Sequence, residues 1–219
     1  MITLDQQQKI LLNIANMLTK KVTVYAIGGT AMMFLGFKDT TLDIDLVFDN
    51  EKDRNAFKQA IKSLGYQEMD TIKIYGAKRN QPEMFTLGDE RFDLFLIEVI
   101  DFFFSKSMQE RAEQIHQFGD NLFLRIANPH DIIIMKCATD RAKDKDDAIK
   151  IINSVSIKWD ILIEEAERQI KLGKERAAFD LGCFLEDLKL KMKVNVPQKA
   201  LDDLFDIVQK QAESKKKHL

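Results

Sequence analysis

The feature that most constrains this chain is the abrupt end of its first β-branched run. Residues 21–27 read KVTVYAI, a sequence suited to a pleated strand, and the run stops at Gly28-Gly29. TAMMFLGF follows as a short helix opened by Thr30 and closed near Gly36. Two glycines between a strand and a helix let backbone amides turn inward and approach a ligand closely, while the helix N-terminus adds positive potential. Such a turn makes a phosphate cradle, with the Thr30 hydroxyl as an extra donor. A tight turn and nothing more is the alternative for a lone Gly-Gly.

The pattern on either side predicts the architecture. Ile10, Leu11, Ile14, Met17 and Leu18 fall at helical spacing over 5–19. LDIDLVF (42–48) alternates as a second strand, and Phe57, Ala60, Ile61 and Leu64 predict a helix over 51–64, with Gly65 just past its end. TIKIYGA (71–77), EMFTLG (83–88) and RFDLFLI (91–97) predict antiparallel strands, followed by a helix near 107–117 and a strand at 121–127. Asn128-Pro129 then starts a helix running to about residue 153, with Asn128 as its cap. Apolar stripes at 161–170, 181–192 and 201–208 predict three further helices. The expected fold is α/β (α+β): a mixed sheet with flanking helices over 1–127, then a helical C-terminal bundle over 128–219.

Charge narrows the partners. The 219 residues carry 33 Lys+Arg against 35 Asp+Glu, a formal charge of −2, which excludes a histone-like protein that holds nucleic acid by bulk positive charge. Acidic residues gather at 39–53, whereas Lys136, Arg141 and Lys143 form a small basic set, so a nucleic-acid acceptor would be held locally. The start has no basic n-region, and no stretch approaches the roughly 18 unbroken apolar residues of a membrane span, so neither a signal peptide nor a membrane partner is expected. Cys137 and Cys183 lie among apolar neighbours and read as free thiols of a reduced cytoplasm more readily than as a disulfide.

Asp43-Ile44-Asp45 carries the chemistry. On a strand, residues two apart share a face about 6.5–7 Å apart, so both carboxylates project together. Like charges held on one face need a cation between them, and Mg²⁺, which takes oxygen ligands, is the natural one. Asp45 facing solvent from an edge strand, with Asp43 capping a turn, is the blander alternative. Asp93, in RFDLF, is a carboxylate amid apolar strand residues. If its strand lies beside 42–48, three carboxylates converge as two-metal phosphoryl transfer requires; otherwise Arg91 and Asp93 both face water. Lys136 interrupts the apolar run IIIMKCA and needs an anionic partner. With Asp140, Lys143 and Asp147 it falls on one helix face, which also describes a ladder of weak surface ion pairs.

Gly28-Gly29-Thr30-Ala31, then Thr41, Asp43 and Asp45, then Asp93 and the segment from Lys136 to Asp147 resemble the nucleotidyltransferase superfamily that includes DNA polymerase β. Within it the chain looks closest to the AbiEii-type nucleotidyltransferases, some of them toxins of toxin–antitoxin pairs. The resemblance covers about residues 22–152. It implies a Mg²⁺-dependent enzyme, using two ions, that moves a nucleotidyl group from a nucleoside triphosphate (NTP) to a hydroxyl of a tRNA or other RNA, a protein or a small molecule. In that scheme Asp43, Asp45 and Asp93 bind metal, and Asp93 also helps to activate the acceptor hydroxyl. Gly28, Gly29, Thr30 and Thr41 hold the nucleotide. Lys136 neutralises phosphate charge, with Arg141, Lys143 and Asp147 beside it on a helix that completes the site. An antitoxin is an implied partner. Where the family has Arg, four residues before the first Asp, this chain has Asp39, so Lys38 takes that place or the phosphate contact is absent. A catalytically inactive nucleotide-binding or interaction module on the same fold is the rival reading. His116 (expected in mid-helix), His130 and His218 suggest no metal cluster, and Phe102-Phe103-Phe104 reads as buried packing more readily than as a base-stacking surface.

Overall fold

The chain divides into two units, one formed by Met1–Ile100 with Lys106–Asn128 and the other by Asp101–Ser105 with the chain from Pro129 onward. The computed structural model describes residues 1–71, 80–139 and 141–216. The expected strand at 71–77 lies almost wholly outside the described residues, as does Asp140.

The first unit opens with β1 (Ile2–Thr3) and α1 (Leu4–Met17), where Thr3 and Gln6 form a reciprocal capping box. The glycine-ended run is β2 (Val22–Ala26), followed by α2 (Gly28–Phe34), β3 (Thr40–Thr41) and β4 (Ile44–Phe48). Then come α3 (Glu51–Ser63), β5 (Gln67–Met69), β6 (Glu83–Leu87) and β7 (Glu90–Leu96). The unit closes with α4 (Lys106–Arg111), β8 (Ile115–Phe118) and β9 (Leu122–Ile126). Seven of the strands make one mixed sheet, ordered β8-β9-β2-β4-β7-β6-β5. β2 runs antiparallel to β4 and β4 runs parallel to β7. β1 pairs separately with β3.

Period-two alternation assigns the two faces of this sheet different tasks. Ile44, Leu46 and Phe48 of β4 and Phe92 of β7 are fully buried. α3 packs on them: the Phe57 ring lies 5.4 Å from Phe48 and 5.7 Å from Phe92. Burying such a side chain contributes about 1.5–3 kcal/mol, so this face holds the sheet together. The intervening residues Asp45 and Asp93 are thereby turned to the opposite face. They stand side by side in the parallel register.

Three elements differ from expectation. α2 begins at Gly28, two residues before Thr30, because Ala31 N already donates to Ile27 O at 3.0 Å. The helix expected to reach residue 117 ends at Arg111, and 115–118 form β8 instead, so His116 is a strand residue. Edge pairing with β9 explains the change: Ile115 and Gln117 face outward while His116 stacks on Phe34 at 4.7 Å. The long helix after Pro129 is broken into α5 (Pro129–Lys136) and α6 (Ala142–Ser154). The last turn of α5 tightens as Cys137 N and Ala138 N donate to Ile134 O and Met135 O, three residues back.

In the second unit α7 (Trp159–Lys171), α8 (Glu175–Leu190) and α9 (Gln198–Lys216) pack on one another around Leu162, Leu181, Leu185, Leu188, Leu201 and Leu204. Gly182 permits the close crossing of α8 and α9, since a Cβ there would lie 3.1 Å from the Phe205 ring. Phe102 and Phe104 are buried, and the Gln169 side chain exchanges two hydrogen bonds with the Phe103 backbone, at 2.9 and 2.8 Å. Among the described residues, no helix is long and apolar enough to cross a membrane.

Candidate active site

The site is built where β2 ends. Ile27 N donates to Asp45 O at 3.1 Å, so the chain leaves the sheet level with the Asp45 backbone. Gly28 then takes a φ of +53°, which turns it into α2. A Cβ on Gly28 would lie 2.6 Å from Asp45 Oδ2, and a Cβ on Gly29 would lie 2.5 Å from Thr41 Oγ1. Each glycine is therefore the space that a neighbouring polar group fills. Thr30 is fully buried, and its Oγ1 accepts the Asp45 N–H at 2.9 Å. Expected as an extra phosphate donor, its hydroxyl instead fastens α2 to the strand that carries Asp45, with no surface left for a ligand.

Asp43 lies just before β4 rather than on it, so strand periodicity alone does not aim its carboxylate. Thr41 Oγ1 donates to Asp43 Oδ1 at 3.4 Å and steadies it from the end of β3. Asp93 is fully buried on β7. One carboxylate oxygen from each of Asp43, Asp45 and Asp93 lies within 4.8 Å of the other two. This is closer than the spacing of alternate strand residues, because Asp43 comes off a bend and Asp93 from the neighbouring strand.

Arg91, given no role beyond facing water beside Asp93 in the sequence, turns to the carboxylates instead. Its Nη2 donates to Asp93 Oδ2 at 3.0 Å and forms an ion pair with Asp43 Oδ2. The signal was present in the i, i+2 spacing of Arg91 and Asp93, which puts both on one face of β7. Three carboxylates thus meet with a guanidinium bridging two of them. An all-oxygen donor set of three carboxylates fits a hard divalent cation such as Mg²⁺. Leu42, next to Asp43, is 57% exposed.

The remaining candidates divide sharply. Lys38 is half-buried and Asp39 is exposed. In the second unit, Arg141 and Lys143 are exposed whereas Lys136 and Asp147 are buried. Lys136 and Asp147 do not share one helix face as expected: Lys136 ends α5 and reaches forward across the break to α6. Its Nζ lies 2.8 Å from Asp144 Oδ1 and 2.6 Å from Asp147 Oδ2, so its anionic partners come from its own unit. Burial alone would lower the Lys136 pKa, but the two carboxylates outweigh it and hold the ammonium above the ordinary lysine value. For Asp144, burial alone would raise the carboxyl; Lys136 and hydrogen bonds from Arg141 and Thr139 outweigh it and hold the pKa low. Cys137 is buried and its thiol is pushed well up by desolvation, which leaves it unreactive.

A mixed sheet with a glycine turn at the end of one strand, carboxylates around the next and a third on a parallel neighbour is the construction of a nucleotidyltransferase. The chain belongs to the family described as nucleotidyltransferase of unknown function (DUF6036), whose model matches residues 1–193. Among curated proteins, none matches the sequence.

Proposed function

We propose that the protein is a Mg²⁺-dependent enzyme of the DNA polymerase β superfamily, closest to the AbiEii type, that transfers a nucleotidyl group from a nucleoside triphosphate to an acceptor hydroxyl. The observation that carries this reading is the approach of Asp43, Asp45 and Asp93 to within 4.8 Å, with Asp45 against Gly28. Asp43 and Asp45 hold the cations, and Asp93 completes the site on the acceptor side. When bound, Mg²⁺ offsets the charge of the triphosphate and of the transition state. The first-turn amides of α2, which have no acceptor within the helix, take phosphate oxygens at Gly28 and Gly29.

The acceptor oxygen bonds to the α-phosphorus and loses its proton to water; Asp93, fully buried, helps to activate that hydroxyl through the charge it holds at the site. The bond from that phosphorus to the bridging oxygen breaks in line, and pyrophosphate leaves with the electron pair. Thr30 and Thr41 position Asp45 and Asp43. Lys38, Arg141 and Lys143 are the residues that the AbiEii likeness assigns to phosphate or to an RNA acceptor. The acceptor is a tRNA, a protein or a small molecule, and an antitoxin is the partner that the AbiEii likeness brings with it.

Incubation with α-labelled nucleoside triphosphates and candidate acceptors tests the reading. Label should move only with Mg²⁺ and should stop in Asp45→Asn. A second reading, nucleotide binding without transfer, is favoured by the pairing of Arg91 with two of the three carboxylates. Binding of a nucleotide with no transfer to RNA, protein or small hydroxyl compounds would establish it.

A further inference from the structure

The Arg91 guanidinium stands where a cation of the site would stand. One nitrogen, Nη2, serves Oδ2 of Asp43 and Oδ2 of Asp93 together, and these two carboxylates belong to the 4.8 Å triad. A divalent ion drawn to those carboxylates would meet a positive charge already seated between them. Both cannot keep these oxygens, because like charges repel strongly at such distances. The Arg91 side chain retains 23% of its exposure, so it can move outward without unpacking the sheet. Once displaced, a guanidinium needs another anion, and it pairs best with the oxygens of a phosphate.

We propose that Arg91 is a positioning residue that couples metal loading to nucleotide binding. Without nucleotide it bridges Asp43 and Asp93 and opposes bare Mg²⁺. When a nucleoside triphosphate arrives, Arg91 transfers from the carboxylates to the polyphosphate and frees both oxygens for the ion. The guanidinium also offsets part of the repulsion among three carboxylates kept so close, with Asp93 fully buried. The inference rests on the metal-binding reading above and adds an order of events to it.

The test uses the intact 219-residue chain, with Mn²⁺ as the probe and electron paramagnetic resonance reporting free ion. A non-hydrolysable nucleoside triphosphate analogue is absent in one series and present in the other. Arg91→Gln should bind Mn²⁺ alone about tenfold more tightly than wild type, a change equivalent to roughly one charge-assisted contact. The analogue should raise Mn²⁺ affinity strongly in wild type and much less in Arg91→Gln. Arg91→Lys, which keeps the charge, should stay near wild type. In the wild-type protein the Arg91 side-chain ¹⁵N resonances should shift when Mg²⁺ and analogue are added together and stay in place with Mg²⁺ alone. That measurement keeps the inference testable if the Gln variant folds poorly. Equal Mn²⁺ affinity and equal coupling in wild type and Arg91→Gln would overturn the role of Arg91 and leave the metal site standing. Absence of Mn²⁺ binding in every protein, with and without analogue, would overturn both.

Discussion

Gly28 and Asp45 occupy one another's space: a methyl group on the glycine would stand 2.6 Å from the aspartate's Oδ2. The pair acts as one device, since the same residue supplies the left-handed turn into α2 and the opening for the carboxylate. Gly28→Ala is therefore expected to cost about 1–3 kcal/mol through backbone strain and to cut transfer more than 100-fold by displacing Asp45. Thermal melts together with labelled-nucleotide transfer check both. Gly29→Ala meets Thr41 Oγ1 instead, so Thr41→Ala should restore part of its loss, a coupling that a double-mutant cycle measures.

Removing one negative charge from the triad should separate stability from activity. Asp45→Asn keeps the shape of the side chain while relieving repulsion among three carboxylates within 4.8 Å. The midpoint of unfolding in a chelator should hold or rise, while transfer falls by at least about 10²–10³-fold. A fall in stability accompanied by retained transfer would refute the assignment.

Thr30 tests positioning without touching a ligand. Thr30→Val keeps the volume but leaves the Asp45 N–H without its acceptor, at a cost of about 1–3 kcal/mol, whereas Thr30→Ser should recover most of it. Denaturant titrations measure the difference, and nucleotide affinity should follow the same order.

In the second unit the pH dependence follows from Asp144 and Lys136. Asp144 has a lowered pKa when folded, so its contribution is present above the ordinary aspartate value of about 3.9 and is lost as acid carries the pH down through the folded value. Lys136 has a raised pKa, so its contribution is complete below about 10.4 and is lost as the pH climbs through its folded value. Between these limits the cluster's contribution should be flat. Asp144→Asn should destabilise at neutral pH by about 3 kcal/mol, because it removes a charge partner from a buried ammonium, and should flatten the acid limb. Thermal melts across pH resolve both effects.

Much of the first unit is legible in the sequence because its signals are local. The β-branched run, the paired glycines and the alternation of 44–48 each act within a few residues, and they place β2, α2 and β4. The meeting of Asp93 with Asp45 is of another kind. It depends on β7 lying beside β4 in parallel, which no local pattern encodes, and the same topology decides whether Arg91 faces water or a carboxylate. The break after Lys136 was hidden for a related reason. Both flanking segments have good helical composition, and what accompanies the turn is a buried ammonium that finds Asp144 and Asp147 only once the chain has folded back. β8 was lost because four residues at a sheet edge are too few for alternation to outweigh a neighbouring helical pattern.

The pairing of Ile2 with Thr41 and of Thr3 with Thr40 has a practical consequence for handling the protein. The second and third residues are stitched to the segment that delivers Thr41 and Asp43, and Thr3 also caps α1. An affinity tag fused at the front, or a deletion of the first three residues, therefore pulls on the loop leading into the acidic centre, although it lies some 40 positions away along the chain. Untagged protein, or protein tagged behind α9, is the preparation in which activity should first be sought.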